Sequence, residues 1–179
     1  MAEFKSVYGD DKITYERATA AIGAFERTLV TPSRFDEFLL GNSKALNTDE
    51  RAGLEIFIDK GCVTCHSGYA LGGTMQPFPV IGKFKYANIG DFKGDANGMV
   101  KTPTLRNILE TAPYFHNGST WDIKETVKIM GENQLGINLK DDEISKIVAF
   151  LGSLEGEKPP IIYPTLPAST ETTPKPDMN

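Results

Sequence analysis

The sequence predicts an all-α fold, and three observations carry that prediction. Apolar side chains recur at three- and four-residue intervals within residues 14–29, 48–58, 122–130 and 141–154. Residues that suit helix ends, Thr14, Thr48, Asp122 and Gly156 among them, bracket those stretches. The sequence flanking Cys62-Val63-Thr64-Cys65-His66 lacks the strand–helix–strand pattern of a mixed sheet.

A chain of 179 residues is long enough for one domain with a core and short appendages. The division expected is a loosely ordered, polar N-terminus at 1–12, one domain at 13–156 and a Pro-rich extended tail at 157–179. A formal charge of −5, with no block of Lys and Arg, argues against a nucleic-acid binder. No apolar run is long enough to span a bilayer.

Thr14 reads as the N-cap of a first amphipathic helix, whose stripe is Ala18, Ala21, Ile22, Phe25 and Leu29. That stripe is expected to face the core, and Thr31-Pro32 stops the helix. Phe35, Phe38, Leu39 and Leu40 suggest a short helix ended by Gly41. Thr48 starts a second long helix, with Asp49 and Glu50 at its positive end and Leu54, Phe57 and Ile58 as its apolar face. Gly61 then lets the chain turn into the cysteine motif.

Two cysteines separated by two residues and followed by histidine can form thioethers to both vinyl groups of one haem and offer imidazole to its iron. Cys62 and Cys65 are the only cysteines and His116 the only other histidine, so a structural zinc site would consume every such ligand in the chain. One covalent haem c, held by Cys62 and Cys65 with His66 as axial ligand, is the expectation. A helix delivering the chain directly into such a motif is what a class I cytochrome c looks like.

Between Ser67 and Thr102 regular elements fade into a long Gly/Pro-rich loop. Its expected purpose is to wrap the haem, with Phe78, Val80, Ile81, Phe84, Tyr86 and Phe92 as candidate wall. Pro103 suits a helix first turn, continuing through Leu109. Asp122 and Glu125 have the look of a capping box, and the helix they open puts Ile123, Val127 and Met130 on one face before Gly131 closes it. The last helix begins near Asp141, buries Ile144, Ile147, Val148, Leu151 and Leu154, and ends at Gly156. In cytochrome c folds the terminal helix crosses the one before the haem motif, so 142–155 is expected against 49–59.

The occupant of the second axial position separates an electron carrier from a catalyst: methionine raises the potential, whereas an open position permits peroxide chemistry. Met75, Met99, Met130 and His116 are the candidates, and periodicity alone reads Met130 as core.

Val100-Lys101-Thr102-Pro103-Thr104-Leu105-Arg106-Asn107, followed by Thr111-Ala112-Pro113-Tyr114-Phe115-His116-Asn117-Gly118, resembles the signature of bacterial di-haem cytochrome c peroxidases and their MauG relatives. Ile13-Thr14-Tyr15-Glu16 through Ala24-Phe25-Glu26-Arg27-Thr28-Leu29, and Gly61 to Gly68 with Leu71-Gly72-Gly73, resemble the C-terminal, electron-transferring half of that family. The resemblance spans about residues 12–156. It implies a class I cytochrome c-like fold with an extra N-terminal helix, and it makes Met130 the second ligand of a high-potential haem. It places His116 beside the haem in a hydrogen-bonding role, and a purely structural histidine is the rival. Arg106 would pair with a haem propionate, because guanidinium forks onto carboxylate, and a surface ion pair is the alternative. The carbonyls of Thr111 and Pro113 correspond to calcium ligands between the two haem domains, a poor site by themselves.

Intact members carry two such motifs, and this chain has one. The peroxidatic haem domain, with its glutamate and remaining calcium ligand, is therefore expected to be missing, and Trp121 is read as a packing or surface residue. The function expected is electron transfer by a His/Met-ligated haem. The competing reading is a mono-haem peroxidase that acts at its own iron after loss of Met130, and a third is a bis-histidine cytochrome using His116. The resemblance implies a small soluble donor (a cytochrome c or copper protein), the peroxidatic haem domain as partner, and a homodimer if apolar surface is exposed. Lys83, Lys85, Lys93 and Lys101 are either a docking site for an acidic partner or simply solvated. Covalent haem is attached outside the cytoplasmic membrane, so a periplasmic location is expected, although Met1 to Lys5 lacks the apolar core of an export signal. The chain is read as a mature one whose leader was removed or replaced.

Overall fold

The computed structural model describes residues 2–77, 94–165 and 168–173. The six residues expected to wall the haem, and Lys83, Lys85 and Lys93, lie outside the described residues. Among the described residues six α-helices appear in chain order: α1 Ala2–Tyr8, α2 Tyr15–Glu26, α3 Arg34–Leu39, α4 Thr48–Asp59, α5 Ile123–Met130 and α6 Asp141–Gly152. One antiparallel ribbon joins β1 Met75–Pro77 to β2 Met99–Lys101, with Gln76 opposite Val100. The fold is thus a mostly helical, class I cytochrome c-like one. The ribbon was not foreseen, since three residues per strand are too few to show a two-residue period.

The core lies where α4 and α6 cross. Phe57 on α4 meets Phe150 on α6 with ring centroids 5.3 Å apart, and Phe35 of α3 approaches Phe150 edge-on at 5.4 Å. Phe150, Leu154 and Ser153 are wholly excluded from water, and burying a side chain such as Phe150 contributes about 2–3 kcal/mol. The expected crossing of residues 142–155 over 49–59 is present, with adjustments to its faces. Ile58 is half exposed, while Gly53 and Phe57, with Glu50 in the first turn, are the buried α4 positions. On α6, Phe150 takes the central place and Val148 is only partly covered.

The helix ends obey local chemistry. Thr14 caps α2 by accepting from the Arg17 amide at 3.3 Å. Asn47, not Thr48, caps α4, accepting from the Glu50 amide at 3.0 Å while the Glu50 carboxylate returns to the Asn47 amide at 2.8 Å. Glu50 is buried because Arg34 of α3 grips it through two hydrogen bonds of 2.6 and 2.8 Å. Asp122 caps α5 through the Lys124 amide at 2.9 Å rather than through the expected box with Glu125.

Several expectations need correction. The N-terminus carries the α1 helix and is tied to α2, with the Tyr8 hydroxyl donating to the Arg17 carbonyl at 2.8 Å and Arg17 paired to Asp10. The α2 stripe does not face the core: no α2 residue is buried, and Ile22 and Phe25 are 57% and 54% exposed. Residues 103–107 form no helix, because tertiary partners take the backbone. The Leu105 amide donates to the Ala70 carbonyl and the Asn107 amide to the Leu154 carbonyl, leaving only a 3-10 turn at Ile108–Glu110. Gly131 is right-handed and continues α5 into a π-helical turn, Gly131–Leu135, ended by left-handed Gly136. Leu139 packs against Gly131, where a β-carbon would stand 3.0 Å from its nearest methyl, so that glycine serves packing. Gly156 lies beyond α6, bridged to Ser33.

Candidate haem site

The cysteine motif forms a 3-10 turn, Cys62–Thr64, entered through left-handed Gly61. The Cys62 carbonyl accepts from the amides of both Cys65 and His66, so one tight turn sets all three side chains. The two thiols are not joined in a disulfide; Cys62 is half buried against the core and Cys65 is exposed. Burial pushes the Cys62 thiol up, keeping it protonated at neutral pH.

His66 sits over the α4–α6 core, its ring 6.4 Å from that of Phe57. Burial lowers its pKa below the ordinary histidine value, against the opposing pull of main-chain bonds to Leu71 and Pro103. The ring is therefore neutral at pH 7, the form that can ligate a metal. Nδ1 lies 3.3 Å from the Leu71 carbonyl oxygen; donation there assigns the proton to Nδ1 and leaves the Nε2 lone pair for iron. Two thiols and one pre-oriented neutral imidazole on a single turn are the donor set that haem c requires, and the residues present fit that group.

The Leu71 carbonyl is delivered by an uncommon backbone. Leu71 has φ 51° yet is buried in the core cluster. A left-handed residue other than glycine costs about 1–2 kcal/mol, and burying a leucine side chain contributes about 1.5–3 kcal/mol, so burial outweighs the strain. Gly72 follows at φ 145° against Pro103, whose carbonyl oxygen would overlap any β-carbon there.

The remaining predicted residues fall in three places. Met130 ends α5, half buried, on the helix whose Ile123 and Val127 pack on the same core cluster as Cys62. Met75 lies on β1, 48% exposed. Thr111, Pro113 and His116 share the segment that ends at the Tyr114–Thr120 bridge, and all three are exposed. Among the described residues no three His, Cys, Asp or Glu side chains gather to hold a metal ion. Trp121, read as a packing or surface residue, is 74% exposed and so takes the surface position.

Arg106 is paired within the protein. Its guanidinium holds the Asp36 carboxylate at 2.5 and 2.8 Å, donates from Nε to the Tyr69 carbonyl at 2.8 Å, and lies 4.5 Å from the Tyr69 ring centroid. The carboxylate it grips is a side chain of α3. Asn107 adds to this junction, donating to the Thr31 hydroxyl at 2.9 Å and accepting from the Gly156 amide at 2.8 Å. Sequence reasoning missed Asp36 and Leu71; the Leu71-Gly72-Gly73 triplet was the one available signal, because paired glycines allow a sharp return of the chain.

A Cys-x-x-Cys-His turn at the end of α4, beneath a terminal helix that crosses it, defines a c-type cytochrome domain. A cytochrome c family model matches residues 51–155, and a model of the di-haem cytochrome c peroxidases matches residues 1–44. The chain belongs to the cytochrome c family, within the di-haem cytochrome c peroxidase and MauG group. A cytochrome c551 peroxidase of Nitrosomonas europaea is 44% identical over 180 residues, covering 96% of this chain and 54% of the relative. One of Pseudomonas aeruginosa is also 44% identical, covering 92% of this chain and 51% of the relative. The chain thus spans about half the length of these curated relatives. Among solved structures, a MauG-like protein associated with microbial copper homeostasis aligns at TM-score 0.59 and 26% identity, covering 86% of this chain and 61% of that one. As a cytochrome c domain the chain is built for covalent haem and electron transfer. No helix among the described residues is long and apolar enough to cross a membrane.

Proposed function

We propose that this chain is a one-electron relay, the electron-transferring half of a di-haem peroxidase system. In it Cys62 and Cys65 anchor one haem c, and His66 and Met130 fill the two axial positions. Bound there, the haem supplies a reversible ferric/ferrous couple. The observation that carries the reading is the pre-set His66: neutral, seated on Phe57, its Nδ1 engaged by the Leu71 carbonyl and its Nε2 left for iron. Met130 supports it from α5, whose inner face rests on the core beneath the motif while its last residue stays partly uncovered.

The proposed partners follow from length and surface. The relatives are about twice as long, and α2, inside the segment that matches the di-haem peroxidase model, exposes Ile22 and Phe25. We assign that face to a peroxidatic haem domain, with a small soluble cytochrome c or copper protein as electron donor and the periplasm as the location. Peroxide reduction belongs to the complete system. Calcium enters only with that domain, since the Thr111 and Pro113 carbonyls fall far short of the six to eight oxygens the ion takes. His116 takes a hydrogen-bonding role beside the haem.

The test is spectroscopic. The ferric holoprotein is expected to be low-spin with a weak far-red sulfur-to-iron band, and mixing the ferrous form with peroxide is expected to give no rapid repeated turnover. A high-spin spectrum with multiple turnovers would transfer the reading to a mono-haem peroxidase.

A further inference from the structure

The helix ladder changes its spacing just after Met130. There α5 ends and the chain widens into the π-helical turn Gly131–Leu135, where the Gly136 amide reaches back five residues to the Gly131 carbonyl. Such turns are rare and frequently mark functional sites. Asn133 sits inside this one, 8% exposed, and its Nδ2 donates to the Ile129 carbonyl at 3.0 Å. That carbonyl belongs to the peptide joining Ile129 to Met130, and in an α-helix the main-chain amide of residue 133 would serve it. The nitrogen is assigned to that side because the opposite choice would set two acceptor oxygens together. The remaining side-chain oxygen, Oδ1, is sealed from water and has no partner among the described residues.

A leucine would fill the same buried place without stranding an oxygen, and stranding one is costly. What the asparagine adds there is the bond to the Ile129 carbonyl. On the other side of Met130 the chain is held as well: the Ile137 amide donates to the Gly131 carbonyl at 3.0 Å, and Leu139 packs where a Gly131 β-carbon would stand. The backbone is thus fixed before and after Met130, while the methionine itself is only half buried. We propose that Asn133 is a positioning residue for Met130: its amide latches the peptide that carries the methionine, and so holds the thioether in place against small competing ligands. The inference rests on the reading of Met130 as the second axial ligand. Without the latch the turn loses the bond that orients that peptide, and the methionine yields its place more readily.

The test titrates two variants of the ferric holoprotein, Asn133→Leu and Asn133→Gln, with imidazole. Leucine keeps the branched shape and removes the donor; glutamine keeps the donor on a longer stem. The apparent affinity of a competing ligand follows the fraction of protein whose methionine has let go, so Asn133→Leu is expected to bind imidazole about tenfold more tightly than the parent. Its far-red sulfur-to-iron band should fade at correspondingly lower imidazole, and Asn133→Gln should fall between the two, nearer the parent. Parent-like affinity in Asn133→Leu would reduce residue 133 to packing, and equal gains in both variants would assign the effect to shape rather than to the donor; either result overturns the proposal. Should Asn133→Leu fail to fold, nuclear magnetic resonance of the ferrous parent decides: two distinct, slowly exchanging Nδ2 protons are expected, and a rapidly exchanging, averaged pair overturns it. A far-red band missing from the parent, or surviving in Met130→Ala, would instead remove the reading of Met130 as a ligand, before residue 133 is tested.

Discussion

Gly53 of α4 lies directly beneath the main-chain carbonyl of Lys146 in α6, so that a β-carbon at position 53 would overlap that oxygen and stand 2.9 Å from the Phe150 β-carbon. The closeness of these two residues lets the helices cross where Phe57 and Phe150 can meet, and it thereby sets the floor on which His66 rests.

Gly53→Ala is accordingly expected to destabilise the domain by about 3 kcal/mol, the upper part of the range for overpacking, because the obstacle is backbone and cannot rotate away. Urea unfolding of the holoprotein measures it. A loss under about 0.5 kcal/mol, as at an ordinary surface site, would contradict the crossing.

Asp36→Asn should cost roughly 3 kcal/mol, because it leaves the Arg106 side chain, 9% exposed, as a buried charge without its partner. Arg106 first, then Ser33, holds the Asp36 carboxyl down at about 2, below its usual 3.8. A folded-state value below the unfolded one means that the pair stabilises above about pH 4, and that this contribution is lost as pH falls from there toward 2. Unfolding midpoints from pH 6 to pH 2 should fall less steeply in Asp36→Asn than in the parent. Asp10 is also held at about 2 by Arg17 but is solvent-exposed, so Asp10→Asn should change little.

Phe25→Glu on α2 is expected to leave the thermal midpoint of this chain nearly unchanged, within the small range of surface substitutions, because no α2 side chain is buried here. The same change should weaken association with a peroxidatic haem domain by tenfold or more, read by titration with that domain. A large drop in the midpoint of the isolated chain would show that the stripe packs internally after all.

Met130→Ala should abolish the far-red sulfur-to-iron band and turn the ferric spectrum high-spin, whereas Met75→Leu, on the exposed ribbon, should leave both as they were. The opposite pattern would move the ligand to β1.

Chemistry confined to a few neighbouring residues was readable in the sequence. The Cys62–His66 spacing specified covalent haem, Thr14 and Asp122 marked helix starts, and the α6 period found Ile144, Ile147 and Leu151, because caps and one-helix faces depend on local geometry. By itself, then, the sequence determined the cofactor motif and most of the helices, while the crossing of α4 by α6 was implied by the resemblance to cytochrome c folds.

Only the tertiary structure decided the rest. It gave Arg106 to Asp36 from 70 residues away, withdrew residues 103–107 from a helix by hydrogen-bonding their amides to Ala70 and Leu154, left the α2 stripe in solvent, and turned Leu71 against its own preference to face His66. The physical reason is common to all four. Each outcome depends on a partner distant in the chain, and packing free energies of a few kcal/mol outweigh the local preferences of about 1 kcal/mol that a sequence displays.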